Sequence, residues 1–303
     1  MKCFYHNDED GKVSAFWVNN LAKHTDGYEK EFMPINYGKD FPFEEILPNE
    51  QVYIVDYSIL PDEMKHLLNI TKNVVWIDHH FSAIKRYESF PYEISGLRYD
   101  GIAGCMLTYC YLKHMTDGGE GFCKSFDFSM MDDAPMFTKY VADFDVWKFE
   151  YGKDTKAFEI GLQLYEQDPI SGESVWYYLC SPLLSELSII KQGYTLLRYR
   201  DNWAKDYCSH VGFDAEFESY KCFALNLGMI TSDYFNSLNH EEYDMFIGFS
   251  YNGKSWNYSL RSTKVNCAEI AMKYGGGGHP GAAGLSSDEF LLKRIGEKEN
   301  ERI

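Results

Sequence analysis

The chain has 303 residues, 45% of them hydrophobic and 25% charged, with a formal net charge of −17. That length allows one large or two modest domains. The composition is that of a globular protein rather than a disordered one, and no apolar run approaches the roughly 20 residues of a membrane span. The acidic balance and the lack of a Lys/Arg-rich run exclude a protein that tracks along duplex nucleic acid, because phosphate contacts dominate that affinity. A small anionic ligand is compatible with them where metal ions invert the charge locally.

Cys3-Phe4-Tyr5-His6 is a short apolar and aromatic run broken by Asn7-Asp8-Glu9-Asp10-Gly11. Val13, Ala15, Phe16, Leu21 and Ala22 then follow a helical pattern, so the segment reads as strand, polar loop, helix. Residues 51–55 form a second buried-strand run ended by Asp56, and residues 74–77 a third ended by Asp78-His79-His80. Between them, residues 61–69 predict a helix with Met64, Leu67 and Leu68 on one side. Continuous apolar strands alternating with helices predict a parallel sheet covered on both faces. Further helices are predicted over 102–113 and 134–141, the second followed by Ala142-Asp143-Phe144-Asp145. A long helical pattern over 183–207 reads as a connector. Beyond it, 220–227, 245–251 and 256–261 predict strands, the last two joined by a hairpin turn at Asn252-Gly253. A helix over 267–274 then meets Gly275-Gly276-Gly277-Gly278-His279-Pro280. The charged stretch 298–302 reads as a disordered tail. The 8 cysteines form no CxxC pair, and no secretory signal precedes the first strand, so reduced thiols in a cytoplasmic protein are expected.

Three predicted strands end in acidic or imidazole groups. Ligands of open α/β sheets bind beyond the carboxyl ends of the strands. His6, Asp8, Asp10, Asp56, Asp78, His79 and His80 should therefore converge, joined by Asp143 and Asp145. Taken singly, each piece has a bland reading: a polar loop or helix cap for Asp8 to Gly11, a helix stop for Asp143 and Asp145. Together, carboxylates with a minority of imidazoles suit Mn²⁺ or Mg²⁺. So many carboxylates would repel one another without cations. Two divalent ions about 3.5–4 Å apart would relieve the repulsion and activate a water for attack on phosphorus. The glycine run offers backbone amides to an anion, with His279 and Arg261 as further donors; a flexible hairpin or linker is its bland alternative. Asn266 fits a helix N-cap at least as well as a ligand contact, and Lys264 reads as a solvated surface lysine.

His6-Asn7-Asp8-Glu9-Asp10-Gly11 resembles the first motif of the DHH phosphoesterases, Asp56 the second, Asp78-His79-His80 the motif that names the family, and Asp143 or Asp145 the fourth. Arg261-Ser262 and the run from Gly275 to Gly284 look like the glycine-rich signature of the DHHA1 domain. The elements occur in the family's order and span nearly the whole chain. The resemblance implies an α/β fold: a parallel-sheet DHH domain over 1–180, a helical connector over 181–210 and a smaller α/β DHHA1 domain over 211–303, with substrate held in the cleft between the domains. It implies two divalent metal ions, Mn²⁺ first and Mg²⁺ or another divalent ion as alternatives. His6 and Asp8 would bind one metal, with Asp10, His79 and the fourth-motif aspartate on the other and Asp56 bridging. Of Asp143 and Asp145, Asp143 is favoured because it lies closer to the predicted end of the apolar helix. His80 would contact the scissile phosphate and Asp78 would orient a histidine. Arg261, Gly276, Gly277, Gly278 and His279 would hold the substrate. The expected activity is hydrolysis of short oligonucleotides or dinucleotides to nucleoside monophosphates, with a signalling nucleotide (a cyclic dinucleotide or 3′-phosphoadenosine 5′-phosphate) or non-catalytic nucleotide sensing as alternatives. Long duplex nucleic acid and membranes are not expected partners, and a homodimer is left open.

Overall fold

Short apolar segments with β-branched and aromatic residues build the first sheet. β1 (Lys2–His6), β2 (Glu31–Ile35), β3 (Val52–Val55) and β4 (Val74–Ile77) pair in parallel in the order β2-β1-β3-β4. A computed structural model describes residues 1–22, 29–119 and 127–295; Cys123 and the stretch 298–302 lie outside the described residues. The chain divides into two units, Met1–Thr195 and Leu196–Ile303.

In the first unit, α1 (Glu9–Leu21) follows β1, and α2 (Pro61–Ile70) connects β3 to β4. Met64, Leu67 and Leu68 of α2 pack with Phe4, Val52, Ile54, Val74 and Trp76 in one core layer, so the sheet is buried on that face. After β4 come α3 (Phe81–Arg86), α4 (Gly104–Thr116), α5 (Met136–Asp145), α6 (Lys153–Leu162) and α7 (Val175–Leu179). α1 packs on α4, and both pack on the sheet. Their buried residues Val13, Phe16, Val18, Cys105 and Leu107 make the other layer. This is the expected parallel sheet with helices on both faces.

The long helix α8 (Glu186–Val211) ends one turn beyond its predicted limit and carries the division between the units. The second unit is a seven-stranded sheet in the order β11-β5-β6-β7-β8-β10-β9. Its strands are β5 (Phe213–Phe217), β6 (Tyr220–Asn226), β7 (Met245–Tyr251), β8 (Trp256–Arg261), β9 (Gly277–His279), β10 (Ala282–Ser287) and β11 (Lys293–Arg294), with α9 (Cys267–Lys273) between β8 and β9. All its pairs are antiparallel except β6 with β7. Ile270 and Ala271 of α9 cover one face with Met245, Ile247 and Leu260.

Four local expectations are corrected. The β7–β8 connection is a four-residue loop over Asn252–Ser255, closed by the Asn252 amide on Ser255 O at 3.1 Å, because the Asn252 carboxamide also accepts from the Lys254 and Ser255 amides. The glycine run is a strand and hairpin rather than a free loop. Lys264 is tethered: its ammonium donates to the carbonyls of His240, Glu241 and Tyr243 at 2.9–3.1 Å. α5 runs on through Asp143 to end at Asp145. Asn266 is the N-cap of α9, accepting from the Ala268 and Glu269 amides. The cysteines among the described residues are free thiols, and no helix there is long and apolar enough to cross a membrane.

Candidate metal centre

β1, β3 and β4 end at one edge of the parallel sheet, and each end delivers polar side chains there. His6 closes β1. Asp8 is the N-cap of α1, its Oδ1 accepting from the Gly11 amide at 2.9 Å, which places Asp10 in the first helical turn. Asp56 follows β3 with φ 52°, in the left-handed region that non-glycine residues seldom occupy. Such backbone strain collects at functional sites, where surrounding structure holds it in place. Asp78, His79 and His80 follow β4, and Asp145 arrives from the C-terminus of α5.

His6 Nδ1 lies 2.5 Å from Asp8 Oδ2 and 3.8 Å from Asp56 Oδ2. His79 Nε2 lies 3.2 Å from Asp56 Oδ1, 3.5 Å from Asp145 Oδ2 and 3.7 Å from Asp10 Oδ2. Two groups result, His6–Asp8–Asp56 and Asp10–His79–Asp145, each with its ligand atoms within 4.8 Å of one another; Asp56 also groups with His79 and His80. His6 Nδ1, Asp56 Oδ1 and Asp145 Oδ2 are buried without a hydrogen-bond partner, so the short separations lack hydrogen-bond geometry. Buried polar atoms are normally paired, and leaving them orphaned is costly. Orphaned lone pairs converging from carboxylates and imidazoles, with no thiolate among them, fit two hard divalent cations.

The electrostatics agree. Burial pushes the Asp56 carboxyl well above its ordinary range, and the charges of Asp10, Asp8, Asp145 and Asp78 push it further. Asp145 is pushed up to about 8, by burial first and then by Asp10, Asp8 and Glu159. Burial also pushes on Asp8, but the adjacent His6 imidazole and the hydrogen bond from the Gly11 amide outweigh it and hold Asp8 below its ordinary value.

Asp78 is fully buried and orients its neighbours. Its Oδ1 accepts from the His79 amide at 2.8 Å and the His80 amide at 3.2 Å, and pairs with His80 Nδ1 at 2.7 Å. That pairing with Asp78 is the main reason the His80 imidazole is raised above its ordinary value.

Asp143, favoured on the sequence over Asp145, does not join the cluster. Its carboxylate accepts from the Glu150 amide at 2.8 Å, the Tyr151 amide at 3.3 Å and the Thr155 hydroxyl at 2.5 Å. Those bonds satisfy it and tie down the turn after α5. The helix ends at Asp145, not at Val141 as predicted, so four residues of further winding carry Asp145 to the sheet edge.

The sequence gives little sign of what holds Asp10. Both of its carboxylate oxygens accept backbone amides from the start of α4, Gly104 N and Cys105 N, each at 2.7 Å. A side chain at 104 would meet the Asp56 Cβ at 2.8 Å and the Asp10 Oδ2 at 3.0 Å, so only glycine allows the approach. Glu159 of α6 was likewise not anticipated. Its Oε2 is buried and unpartnered, and burial with the charge of Glu9, opposed by Lys12, pushes it up to about 8.

The predicted substrate-holding residues lie in the second unit. Ala282 of β10 pairs with Arg261 on one side and His279 on the other, which sets these two in one cross-strand row. Residues directly opposite across strands project to the same face. Gly277, Gly278 and His279 are exposed. Gly276 and Gly278 have a tighter reason to be glycine than anion access: a Cβ at either would collide with the β10 backbone, and Gly278 has φ 141°. Two guanidinium nitrogens of Arg261 donate to Leu260 O at 2.8 Å and Ile230 O at 3.0 Å, which fixes the head group in place.

Residues 228–302 match the family model of the DHHA1 domain. An uncharacterised protein of Acanthamoeba polyphaga mimivirus is 23% identical over 307 residues, covering 91% of this chain and 65% of that protein, so the chain spans just under two thirds of the relative's length. Among solved structures, a pGpG-specific phosphodiesterase from Vibrio cholerae superposes with a TM-score of 0.51 at 14% identity, covering 94% of this chain and 92% of that one; this likeness shows a shared fold. Residues 228–302 therefore carry a DHHA1 domain, and the chain as a whole shares the fold of a phosphodiesterase and resembles the DHH/DHHA1 phosphoesterases in its ordered motifs.

Proposed function

We propose that the protein is a two-metal phosphodiesterase that cleaves dinucleotides and very short oligonucleotides to nucleoside monophosphates. The observation that carries the reading is the two histidine–carboxylate groups at one sheet edge, His6–Asp8–Asp56 and Asp10–His79–Asp145, with orphaned ligand atoms on His6, Asp56 and Asp145. His6, Asp8 and Asp56 would hold one divalent cation, Mn²⁺ in our reading, and Asp10, His79 and Asp145 the other. Bound there, the cations would supply an activated water and positive charge opposite the phosphoryl oxygens. The chain's own groups complete the chemistry. Asp78 accepts from His80 Nδ1–H and favours the imidazolium, whose Nε2–H would then donate to a phosphate oxygen or give its proton to the departing alkoxide. Arg261, His279 and the amides of Gly276, Gly277 and Gly278 would form the substrate-binding face of a domain over 211–303.

The structural relative acts on pGpG, a linear dinucleotide, and this favours a diester of that size over a long polymer. So does the net charge of −17. The test is hydrolysis of a 5′-labelled linear dinucleotide with Mn²⁺, beside a cyclic dinucleotide, 3′-phosphoadenosine 5′-phosphate and pyrophosphate. Mononucleotide release from the linear substrate, abolished in Asp56→Ala, is expected. Turnover confined to one of the other three would move the specificity, and silence on all four would leave a nucleotide sensor.

A further inference from the structure

The carboxyl edge of the parallel sheet has a fourth strand end that the metal centre does not use. β2 lies beside β1, with Ile35 paired to His6, and the chain leaves it through Asn36 into Tyr37. The Tyr37 ring centroid is 5.7 Å from that of His6 and 6.1 Å from that of His80, the latter edge-on at 77°. One face of the ring is covered by Tyr57, stacked at 4.6 Å and 29°. Even so, Tyr37 is 48% exposed. An aromatic ring stacked on Tyr57 and neighboured by two imidazoles of the centre, yet half open to solvent, offers surface to a ligand.

A tyrosine ring stacked on one side and 48% exposed presents π-surface to a ligand. Stacking on such a surface tolerates any base, because every base has a π-face.

Resting on the nucleotide reading above, we propose that Tyr37 is the nucleobase platform of this site: its open face stacks the base of the nucleotide whose phosphate lies at the metal centre. The two imidazoles that flank the ring belong to the centre, so base and phosphate would be separated by about one sugar.

The test is binding rather than turnover, so that it is read separately from the activity. Dissociation constants for AMP and for ribose 5-phosphate, which differ by the base alone, are measured on the Mn²⁺-loaded full chain and on Tyr37→Phe, Tyr37→Trp and Tyr37→Ala. Base–aromatic stacking leads us to expect AMP to bind roughly 5- to 150-fold more weakly to Tyr37→Ala, with a clearly smaller loss for ribose 5-phosphate. Tyr37→Phe and Tyr37→Trp, which keep a ring, should hold AMP close to the wild-type level. Three results would overturn the inference: equal losses for both ligands in Tyr37→Ala, a Tyr37→Phe loss as large as that of Tyr37→Ala, or wild-type protein that binds AMP no more tightly than ribose 5-phosphate. Wild-type protein that binds AMP in this pattern but leaves dinucleotides intact would reject the proposed activity and keep the platform.

Discussion

Asp143 and Asp145 stand two residues apart on one helix and have opposite surroundings. The Asp143 carboxylate is saturated by two amides and a hydroxyl, whereas Asp145 has a buried, unpartnered oxygen 3.5 Å from His79. Replacing each by asparagine should therefore do different things. Asp145→Asn removes a charge that a cation would use, so Mn²⁺ affinity should fall by at least the roughly 10- to 100-fold seen when a partner one shell further out is lost. Asp143→Asn should keep most of the metal affinity and lose stability instead, about 1–3 kcal/mol, because an amide NH₂ then faces donors that need an acceptor. A Mn²⁺ titration and a melting curve on each variant distinguish the two, and the reverse pattern would restore Asp143 as the ligand. Composition explains why the sequence favours Asp143: aspartate is a poor interior helix former and a common helix stop, so a helix ending at Val141 is expected. Tertiary bonds to residues 150–155 carry it on to Asp145.

At the scale of elements, the strands that bear the ligands were legible because each is a continuous apolar run closed by an acid or a histidine. β2 was not, since Pro34 interrupts it; proline is tolerated there because β2 is an edge strand. The hairpin of β9 and β10 was hidden inside a glycine run, where no side-chain alternation exists to be read. α4 was legible as a helix, but its role was not. The start of α4 clamps Asp10 through two amides, as a helix N-terminus does for an anion, and nothing in the apolar pattern marks that. The clamp leads to a prediction at Gly104. Gly104→Ala puts a methyl group against Asp56 and Asp10 at 2.8–3.0 Å, so one group must move. Far-ultraviolet circular dichroism should be retained, while Mn²⁺ affinity and dinucleotide turnover fall together by roughly tenfold or more, as when supporting groups of a metal site are disturbed. Gly277→Ala, whose Cβ would have nothing within 4 Å, is the matched control for loss of a glycine, read on melting temperature. Equal Mn²⁺ affinity in wild type and Gly104→Ala would refute the clamp.

The whole molecule carries 46 acidic residues against 29 lysines and arginines, and its fold gathers several of the acids where water is scarce. Asp56 is held well above the usual carboxylate range, and Asp145 and Glu159 are each pushed up to about 8, in all three cases by burial first. An unfolded chain releases those protons near pH 4, whereas the folded metal-free protein keeps them until about pH 8 for Asp145 and Glu159. Between these limits the folded state binds more protons than the unfolded one, so stability falls as pH rises. Cations reverse the sign, because they bind the deprotonated ligands of the folded state and stabilise it by mass action, about 2.7 kcal/mol at a hundred times the dissociation constant. The chelated protein should therefore melt at a lower temperature at pH 8 than at pH 5, at constant ionic strength, and added Mn²⁺ should raise the melting temperature more at pH 8 than at pH 5. General repulsion in an acidic chain would also lower stability at high pH. Asp145→Asn separates the two causes: it changes the net charge by one unit but removes a buried carboxylate, so it should flatten the chelated profile and reduce the response to Mn²⁺. If Asp145→Asn left both slopes unchanged, overall charge rather than the buried centre would set the acid–base behaviour of the fold.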